Sequence, residues 1–187
     1  MVEKRKNWNG LMSGFKASDL VFLDESGCNT DMTRRYAYSL GGSRAVDSAP
    51  LSKPKNTTIL SSIQLDGTLH YTTFSGGTTV EKFKRYLETD LLPHLKDNSV
   101  LVMDNMKSHH AKAVKNLLDS SGVRYIYLPP YSPDLNPIEK LWSKVKSFLR
   151  KFKARTLDAL PNAIQCAFQT VSPSDCSGWF KSCDYLH

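Results

Sequence analysis

The chain has 187 residues, 40% of them apolar, and a formal net charge of +7. This length suits one domain with its own core, and the apolar fraction excludes a disordered tail. With no run of about 18 apolar residues, and with a charged start at Met1–Lys6 that no apolar stretch follows, the sequence predicts neither a membrane span nor a secretory signal. We therefore predict a cytoplasmic protein whose four scattered cysteines are structural or incidental thiols rather than zinc ligands.

The first half of the chain predicts mainly strands. Residues 1–19 form a lead-in with apolar residues at roughly helical spacing, weakened by Gly10 and Gly14. Extended segments are predicted, in chain order, at 20–23, 35–40, 57–65 and 68–74. The first of these leads into a turn at 24–27, residues 43–56 predict a loop, and Asp66-Gly67 predicts a hairpin turn. Short turns between such segments are typical of an antiparallel meander.

The apolar period becomes helical after residue 77. Thr78-Thr79-Val80-Glu81 predicts a capping box at the start of a helix that ends near Pro93. Two further strands are predicted, at 100–103 and 123–128. Helices are predicted over 109–119, from 137 onward and over 157–170, with the tail packing back through Trp179-Phe180. Antiparallel strands followed by βαβ crossovers predict an α/β protein with one mixed sheet and helices on its faces.

A stiff loop precedes the helix that starts near residue 137. Four prolines within 129–137 restrict the backbone, because proline fixes its own φ and limits the residue before it. Asn136 is predicted as the N-cap, Pro137 as the first helical residue and Glu139 as the third. Two interpretations of Glu139 remain open: its carboxylate either bonds the Asn136 backbone in a capping box, or it is a rigidly held metal ligand.

Two of the predicted strands end in an aspartate, Asp24 and Asp104. Ligands gather at strand ends in open α/β sheets, although a strand that simply meets a turn also explains either residue alone. Together with Glu139 they form three hard oxygen ligands of the kind that Mg²⁺ takes with water and substrate phosphate. If the two aspartates are adjacent, their repulsion favours metal binding or proton uptake. Two such ions can activate a water or a 3′-hydroxyl in phosphodiester chemistry.

The basic excess is concentrated in one segment. From Lys140 to Arg155 there are seven basic residues and no acidic one, which equals the whole net charge. A helix with charges of one sign favours nucleic acid or a membrane surface over an ordinary solvated face. At about 100° per residue, one edge of this helix carries Glu139, Ser143, Lys146 and Arg150. A neighbouring row carries Lys140, Lys144 and Lys151. We predict that these five cations contact DNA, with Lys146 and Arg150 holding its backbone beside Glu139.

These segments resemble the catalytic domain of a DDE transposase, in the bacterial insertion-sequence branch of the mariner-like superfamily. The resemblance is carried by LVFLDESGCNTDMTRRYAYS at 20–39, SSIQLDG at 61–67, VLVMDNMKSHHAKAV at 100–114 and LPPYSPDLNPIEKLWSKVKSFLR at 128–150. It continues through RTLDAL at 155–160 and GWFKSC at 178–183. Its most specific element is the spacing of 34 residues between Asp104 and Glu139.

The resemblance implies an RNase H-like fold over residues 20–187, with a mixed five-stranded sheet of three antiparallel strands followed by βαβ crossovers. It implies that Asp24, Asp104 and Glu139 are catalytic and bind two Mg²⁺ ions, for which Mn²⁺ can substitute. It also implies cleavage of DNA at transposon ends and strand transfer into a target, by a homodimer or larger complex assembled on DNA. The expected location is the bacterial cytoplasm, at the nucleoid.

Several neighbouring residues are assigned less sharply. Glu25 points to the opposite face from Asp24 along a strand, which favours a supporting role. Asn105 and His109 match the family's D-N-x-x-x-H pattern, and His109 contacts phosphate, orients a metal-bound water or caps its helix. His110 is predicted to face solvent and Trp142 to pack rather than to stack on a base. The pair Arg34-Arg35 is either a DNA contact or an ordinary exposed pair.

Full-length relatives carry N-terminal helix-turn-helix domains that read transposon ends, and residues 1–19 are too few to hold one. We therefore expect DNA binding through phosphates that is insensitive to sequence and sensitive to salt. Three hypotheses follow: an active transposase domain, a catalytically silent remnant that binds DNA or a full-length transposase, and an RNase H-like nuclease for RNA–DNA hybrids. Metal-dependent nicking separates the first two, and a panel of substrates separates the third.

Overall fold

The structure is a computed structural model that describes residues 2–34, 36–48, 50 and 54–186. Its centre is one five-stranded sheet in the order β3-β2-β1-β4-β5. The strands are β1 (Leu20–Cys28), β2 (Thr57–Gln64), β3 (Leu69–Ser75), β4 (Val100–Met103) and β5 (Arg124–Tyr127). The first three pair antiparallel, whereas β4 runs parallel to both β1 and β5. The predicted mixed sheet is therefore confirmed, together with its two βαβ crossovers.

Two strand predictions are wrong. The segment predicted as a strand over 35–40 contains none in its described part: residues 36–39 are irregular, 40–42 form a short 3-10 turn, and Arg35 lies outside the described residues. The turn predicted at 24–27 is instead the continuation of β1, which pairs with β2 as far as Cys28. Asp24 therefore lies inside β1 and not at its end.

Six helices surround the sheet in the described residues. They are α1 (Val2–Met12), α2 (Val80–Tyr86), α3 (Lys112–Ser121), α4 (Ile138–Phe152), α5 (Ala159–Gln169) and α6 (Pro173–Ser182). A π-helical turn at Leu87–Leu91 and a 3-10 turn at Leu92–His94 continue α2, so the helical segment ends near Pro93 as predicted. No helix in the described part of the chain has both the length and the apolar character needed to cross a membrane.

Helix starts were harder to predict than helix ends. The N-cap of α2 is Thr79, whose side chain accepts the Lys82 N–H, so the predicted box beginning at Thr78 is wrong. The helix α3 begins three residues later than predicted, and it stops as predicted at Gly122, whose φ of 73° suits glycine. The helix α6, predicted only as a tail, starts with a capping box between Ser172 and Asp175.

The sheet separates two apolar clusters, because successive side chains of a strand point to opposite faces. Leu20, Phe22, Val100 and Val102 face the cluster that also holds buried residues of α1, α4, α5 and α6. Val21, Leu23, Leu101 and Met103 face the cluster built with α2 and α3. By this alternation Asp24 belongs to the α4 face and Glu25 to the α2 and α3 face.

Candidate active site

The sheet register brings Asp24 and Asp104 together. β1 pairs with β4 from Leu20 opposite Val100 to Leu23 opposite Met103, so the next position on each strand is an aspartate. Here β4 ends, while β1 continues along β2 with Asp24 opposite Ser61. The parallel pair therefore opens at this point, and the two carboxylates flank the opening.

Asp24 is 8% exposed and is held by two N–H groups. Its Oδ1 accepts the Glu25 backbone N–H at 2.8 Å, and its Oδ2 accepts the indole Nε1–H of Trp142 at 3.1 Å. Burial raises the pKa of Asp24 to about 7, and the negative charges of Asp104 and Glu139 add to the rise that these two hydrogen bonds oppose. The prediction that Trp142 packs is confirmed, and its hydrogen bond to Asp24 is a contact that the sequence did not indicate.

A buried histidine fixes the second aspartate. His109 is fully buried, and its Nδ1 lies 2.8 Å from Asp104 Oδ1, while its Nε2 lies 3.2 Å from Glu25 Oε2. Its ring stacks on Phe83, with the centroids 4.3 Å apart. Burial opposes the charged imidazole, but the two carboxylates outweigh it and raise the pKa of His109 to about 9. His109 is therefore a cation that bridges Glu25 and Asp104.

This bridge sets the charge and the orientation of Asp104. Burial by itself would raise the pKa of Asp104, but the hydrogen bonds from His109 and from the Met106 N–H hold it below the usual value. Both hydrogen bonds use Oδ1, so Oδ2 is available to a ligand. The two neighbouring aspartates thus differ, since Asp104 is stabilised as a carboxylate and Asp24 is not.

The side chain of Asn105 connects β4 to β5, whereas that of Asp104 contacts His109. Its Nδ2 donates to the Leu128 carbonyl, and the Leu128 N–H donates to the Met103 carbonyl at 2.8 Å, so the ends of β4 and β5 are tied together. His110 is exposed, as predicted, and stacks on Tyr127. The Asn105 oxygen lies 3.3 Å from His110 Nε2, so both ends of the Asn105 amide have partners.

Glu139 is the second residue of α4 and is exposed. The prediction of Asn136 as the N-cap is wrong, because Pro137 holds that position and the buried Asn136 Oδ1 has no partner among the described residues. The capping-box interpretation of Glu139 is excluded as well, since the Asn136 N–H donates to the Pro133 carbonyl. The turn before α4 is held from below: Tyr185 donates its hydroxyl to the Leu135 carbonyl at 2.7 Å and accepts the Trp8 indole N–H at 3.1 Å. Glu139 thus projects from a supported turn, with its carboxylate uncommitted to capping.

The three acids line a single open cleft of about 570 Å³, which also takes in Asn105 and Asn136. Among the described residues, no three His, Cys, Asp or Glu side chains are already arranged to hold a metal ion together. The chemistry of the donors nevertheless fits a hard divalent cation, because all three are carboxylates and their mutual repulsion contributes to the raised pKa of Asp24. Of the three acids, Glu139 is the most exposed.

The basic residues predicted to contact DNA fall into three situations. Lys140 and Lys151 are exposed, while Lys146 and Arg150 line a groove of about 280 Å³ beside the end of β1. Arg150 and Lys151 also line a second groove of about 770 Å³ together with the exposed Arg34. Lys144 is different, since its Nζ lies 2.6 Å from Asp175 Oδ2 at the start of α6. It joins two helices and is the least available of the five.

The chain is similar to one endonuclease family and to transposases. The family model described as "DDE superfamily endonuclease" matches residues 19–161. The Tc1 transposase of Caenorhabditis elegans is 29% identical over 97 residues, covering 50% of this chain and 36% of that protein. The Tcb2 transposase of Caenorhabditis briggsae is 32% identical over 75 residues, covering 40% of this chain and 28% of that protein. The chain thus spans about a third of the length of these relatives.

Solved structures share the fold over nearly the whole chain. In the Mos1 transposase paired-end complex the similarity has a TM-score of 0.81 at 19% identity, covering 97% of this chain and 58% of that chain. For the catalytic domain of Mos1 mariner transposase the TM-score is 0.74 at 16% identity, covering 97% and 86%. The predicted RNase H-like fold is thereby confirmed.

Proposed function

The chain belongs to the family of DDE superfamily endonucleases, and from this premise we propose that it is the catalytic domain of a transposase. In this proposal it cleaves DNA phosphodiesters at transposon ends and joins the freed ends to a target. Asp24, Asp104 and Glu139 are its catalytic carboxylates. They would hold two divalent cations, Mg²⁺ or Mn²⁺. Structural relatives named as Mos1 paired-end complexes with Mg and with Mn support this choice of metal.

The observation that carries the proposal is that three acids from separate elements line one cleft, one of them with a pKa near 7. A fold gains no stability from such crowding, because each added negative charge makes the ionised form of Asp24 less favourable. Divalent cations bound there would relieve the repulsion, activate the attacking water or 3′-hydroxyl and stabilise the leaving oxygen. We therefore interpret the three carboxylates as a binding site for cations, whose positive charge offsets the repulsion among the acids.

The residues around the carboxylates act by positioning them. His109 keeps Asp104 ionised and fixes its Oδ1, and Glu25 holds the other side of the same imidazole. Trp142, one turn after Glu139 on α4, donates to Asp24 and so links the wall that carries the glutamate to β1. These contacts hold two of the three ligands on rigid elements, as a catalytic site requires.

The basic face of α4 is proposed to hold the DNA backbone. Lys140, Lys146, Arg150 and Lys151 are available for phosphate contacts, which give affinity without reading sequence. Relatives named as Mos1 complexes with a transposon end, as a pre-cleavage transpososome and as a strand transfer complex support DNA ends and target as partners. We further propose that the working form is a dimer or a larger complex on two DNA ends.

The test is nicking of a supercoiled plasmid during a titration with Mg²⁺ or Mn²⁺. The wild type is expected to nick, and Asp104→Asn and Glu139→Gln are each expected to lose at least about 100-fold in rate, as is usual when a charge-stabilising catalytic group is removed. Glu88→Gln is the matched control, since Glu88 is an exposed glutamate paired with Lys84 on another surface. Nicking that survives both catalytic substitutions, or that needs no divalent metal, would contradict the proposal. Cleavage confined to RNA–DNA hybrids would favour the nuclease hypothesis instead.

A further inference from the structure

Two stacked histidines lie on the other side of the sheet from Asp24. His70 is in β3 and His94 is in the 3-10 turn after α2, and their ring centroids are 4.7 Å apart at an interplanar angle of 27°. The neighbours of His70 along β3, Leu69 and Tyr71, pack against the cluster on the α4 face, so the His70 side chain points to the α2 and α3 face. The described residues that line the carboxylate cleft include neither histidine. The pair is therefore a separate feature, which the proposed function does not use.

His70 presents a ring nitrogen that is buried and unpaired. Its Nε2 has no hydrogen-bond partner within the described part of the chain. A buried polar atom in that condition costs free energy until a polar group or a cation reaches it. The backbone at this position is held, because the His70 carbonyl accepts the Tyr86 hydroxyl at 2.8 Å and the Ser61 hydroxyl at 3.0 Å. His70 is thus a fixed group with one ring nitrogen still to be used.

His94 and Asp90 are the adjustable groups beside it. His94 is exposed, at the end of a turn of three residues, so its ring can rotate without disturbing the core. Asp90 is in the π-helical turn Leu87–Leu91, and single π turns that interrupt helices are frequent at functional sites. Its Oδ2 accepts the Thr89 hydroxyl at 2.8 Å, which leaves further lone pairs on the carboxylate. A second imidazole and a carboxylate thus accompany the fixed imidazole.

The charges around His70 favour the neutral imidazole, which is the form that metals bind. Burial lowers the pKa of His70 and the neighbouring His94 lowers it further, whereas the negative charge of Asp90 opposes both effects. Asp90 is therefore close enough to act on the His70 ring. Because the pKa of His70 stays below its usual value of 6.5, the ring is uncharged at pH 7 and has a lone pair for a cation.

We propose that His70 and His94, with Asp90 as the third ligand, bind a divalent transition metal such as Zn²⁺ at a site separate from the carboxylate cleft. Imidazole is a ligand for zinc, nickel and copper, whereas Mg²⁺ prefers oxygen, so the two sites select different cations. Among the described residues no three such ligands already converge, because the two rings are stacked on each other. On binding, the His94 ring turns out of the stack so that it and His70 Nε2 face one ion. The metal then joins the edge strand β3 to the segment after α2 and stabilises the folded chain.

Calorimetric titration with Zn²⁺ in the presence of excess Mg²⁺ tests the site. The wild type should bind Zn²⁺, and His94→Gln should weaken this binding at least about tenfold, which is the smaller end of the loss that follows removal of an outer contact of a metal site. His110→Gln is the matched control, because His110 is also exposed and stacked, on Tyr127, but it lies beside Asn105 at the cleft. Its affinity for Zn²⁺ should equal that of the wild type. Equal affinities in all three proteins, a loss confined to His110→Gln, or no binding by the wild type would overturn the proposal.

Two further measurements locate the ion. Proton–nitrogen correlation spectra of the imidazole rings should show that Zn²⁺ shifts the nitrogens of His70 and His94 and leaves those of His110 unchanged. The Tm of the wild type and of His110→Gln should rise with Zn²⁺, whereas that of His94→Gln should not. Ring shifts confined to His110, or an equal rise of Tm in all three proteins, would refute the site. Nicking of a plasmid with Mg²⁺ should be the same in His94→Gln and the wild type, so failure of the zinc site and failure of the proposed function are distinguishable.

Discussion

Asp24→Asn is expected to stabilise the protein in the absence of metal, although it removes a proposed catalytic group. Asp24 has a pKa of about 7 in the folded chain, against an ordinary value of 3.8. Because the folded-state pKa is raised, ionisation opposes folding above pH 3.8, and the penalty grows until the pH passes about 7. At pH 8 the full difference corresponds to about 4 kcal/mol, as an upper limit.

The substitution also has a cost. Asp24 accepts two N–H groups on two oxygens, from Glu25 and from Trp142, and asparagine has only one oxygen. Losing one hydrogen bond at a buried position costs about 1–2 kcal/mol. The net gain at pH 8 is then about 2 kcal/mol, or roughly 4–8 °C in Tm for a chain of this size. Near pH 5 the smaller penalty and the lost hydrogen bond should about cancel.

The assay is thermal and urea unfolding in the presence of a chelator, with the two proteins compared at several pH values from 5 to 8. The quantity of interest is the difference between them, since His109 also titrates in the wild type. Asp104→Asn is the matched control, and it should lose stability at pH 8 because it deprives the buried His109 of one partner. A variant Asp24→Asn that is less stable than the wild type at pH 8, or a difference that does not change with pH, would refute this reasoning.

Three further predictions concern the supports of the site. His109→Gln should lower the free energy of unfolding by about 3–5 kcal/mol. This loss should shrink as the pH rises from about 6.5 through 9, where the wild-type imidazole loses its charge. Urea unfolding at several pH values measures the loss and its pH dependence. Lys144→Ala should lower the free energy of unfolding by about 1 kcal/mol at pH 7 and leave the affinity for DNA unchanged. Arg150→Ala should weaken DNA binding and reduce its salt dependence. The Lys144 effect should vanish as the pH falls from 4 through 2, because the hydrogen bonds from Lys144 and from the Ser172 N–H and hydroxyl lower the pKa of Asp175 to about 2. The reverse pattern of affinities between these two variants would reject the assignment. Gly67→Ala should cost about 1–3 kcal/mol in thermal unfolding, since φ is 89° and an added Cβ would lie 3.1 Å from an α6 proline; an unchanged Tm would contradict it.

The three acids that line the cleft could be selected from the sequence, because each was assigned to a local pattern. Asp104 follows a short apolar run, and Glu139 follows a proline loop, both of which are readable without the fold. Asp24 was identified for a partly wrong reason, since its strand does not end there. β1 continues because β2 pairs with it, and pairing between residues that are 37 positions apart, such as Asp24 and Ser61, leaves no mark on the local sequence.

The contacts that tune the acids could not be predicted. His109 lies 84 residues from Glu25 and Trp142 lies 118 residues from Asp24, so only the packed fold shows that they touch. A histidine five residues after an aspartate fits a cap or a phosphate contact equally well. The strand predicted at 35–40 failed for the opposite reason: its side chains suit a strand, but in the described part of that segment no neighbouring strand pairs with them.

The hydrogen bonds that run from Trp8 through Tyr185 to Leu135 connect residues that are 177 and 50 positions apart. They tie α1 and the segment around Tyr185 to the turn that precedes α4, the helix whose second residue is Glu139. Removing the residues around Tyr185, or attaching a bulky tag close to them, is therefore expected to disturb the cleft. Residues that touch no ligand can in this way decide how well a distant glutamate is aimed.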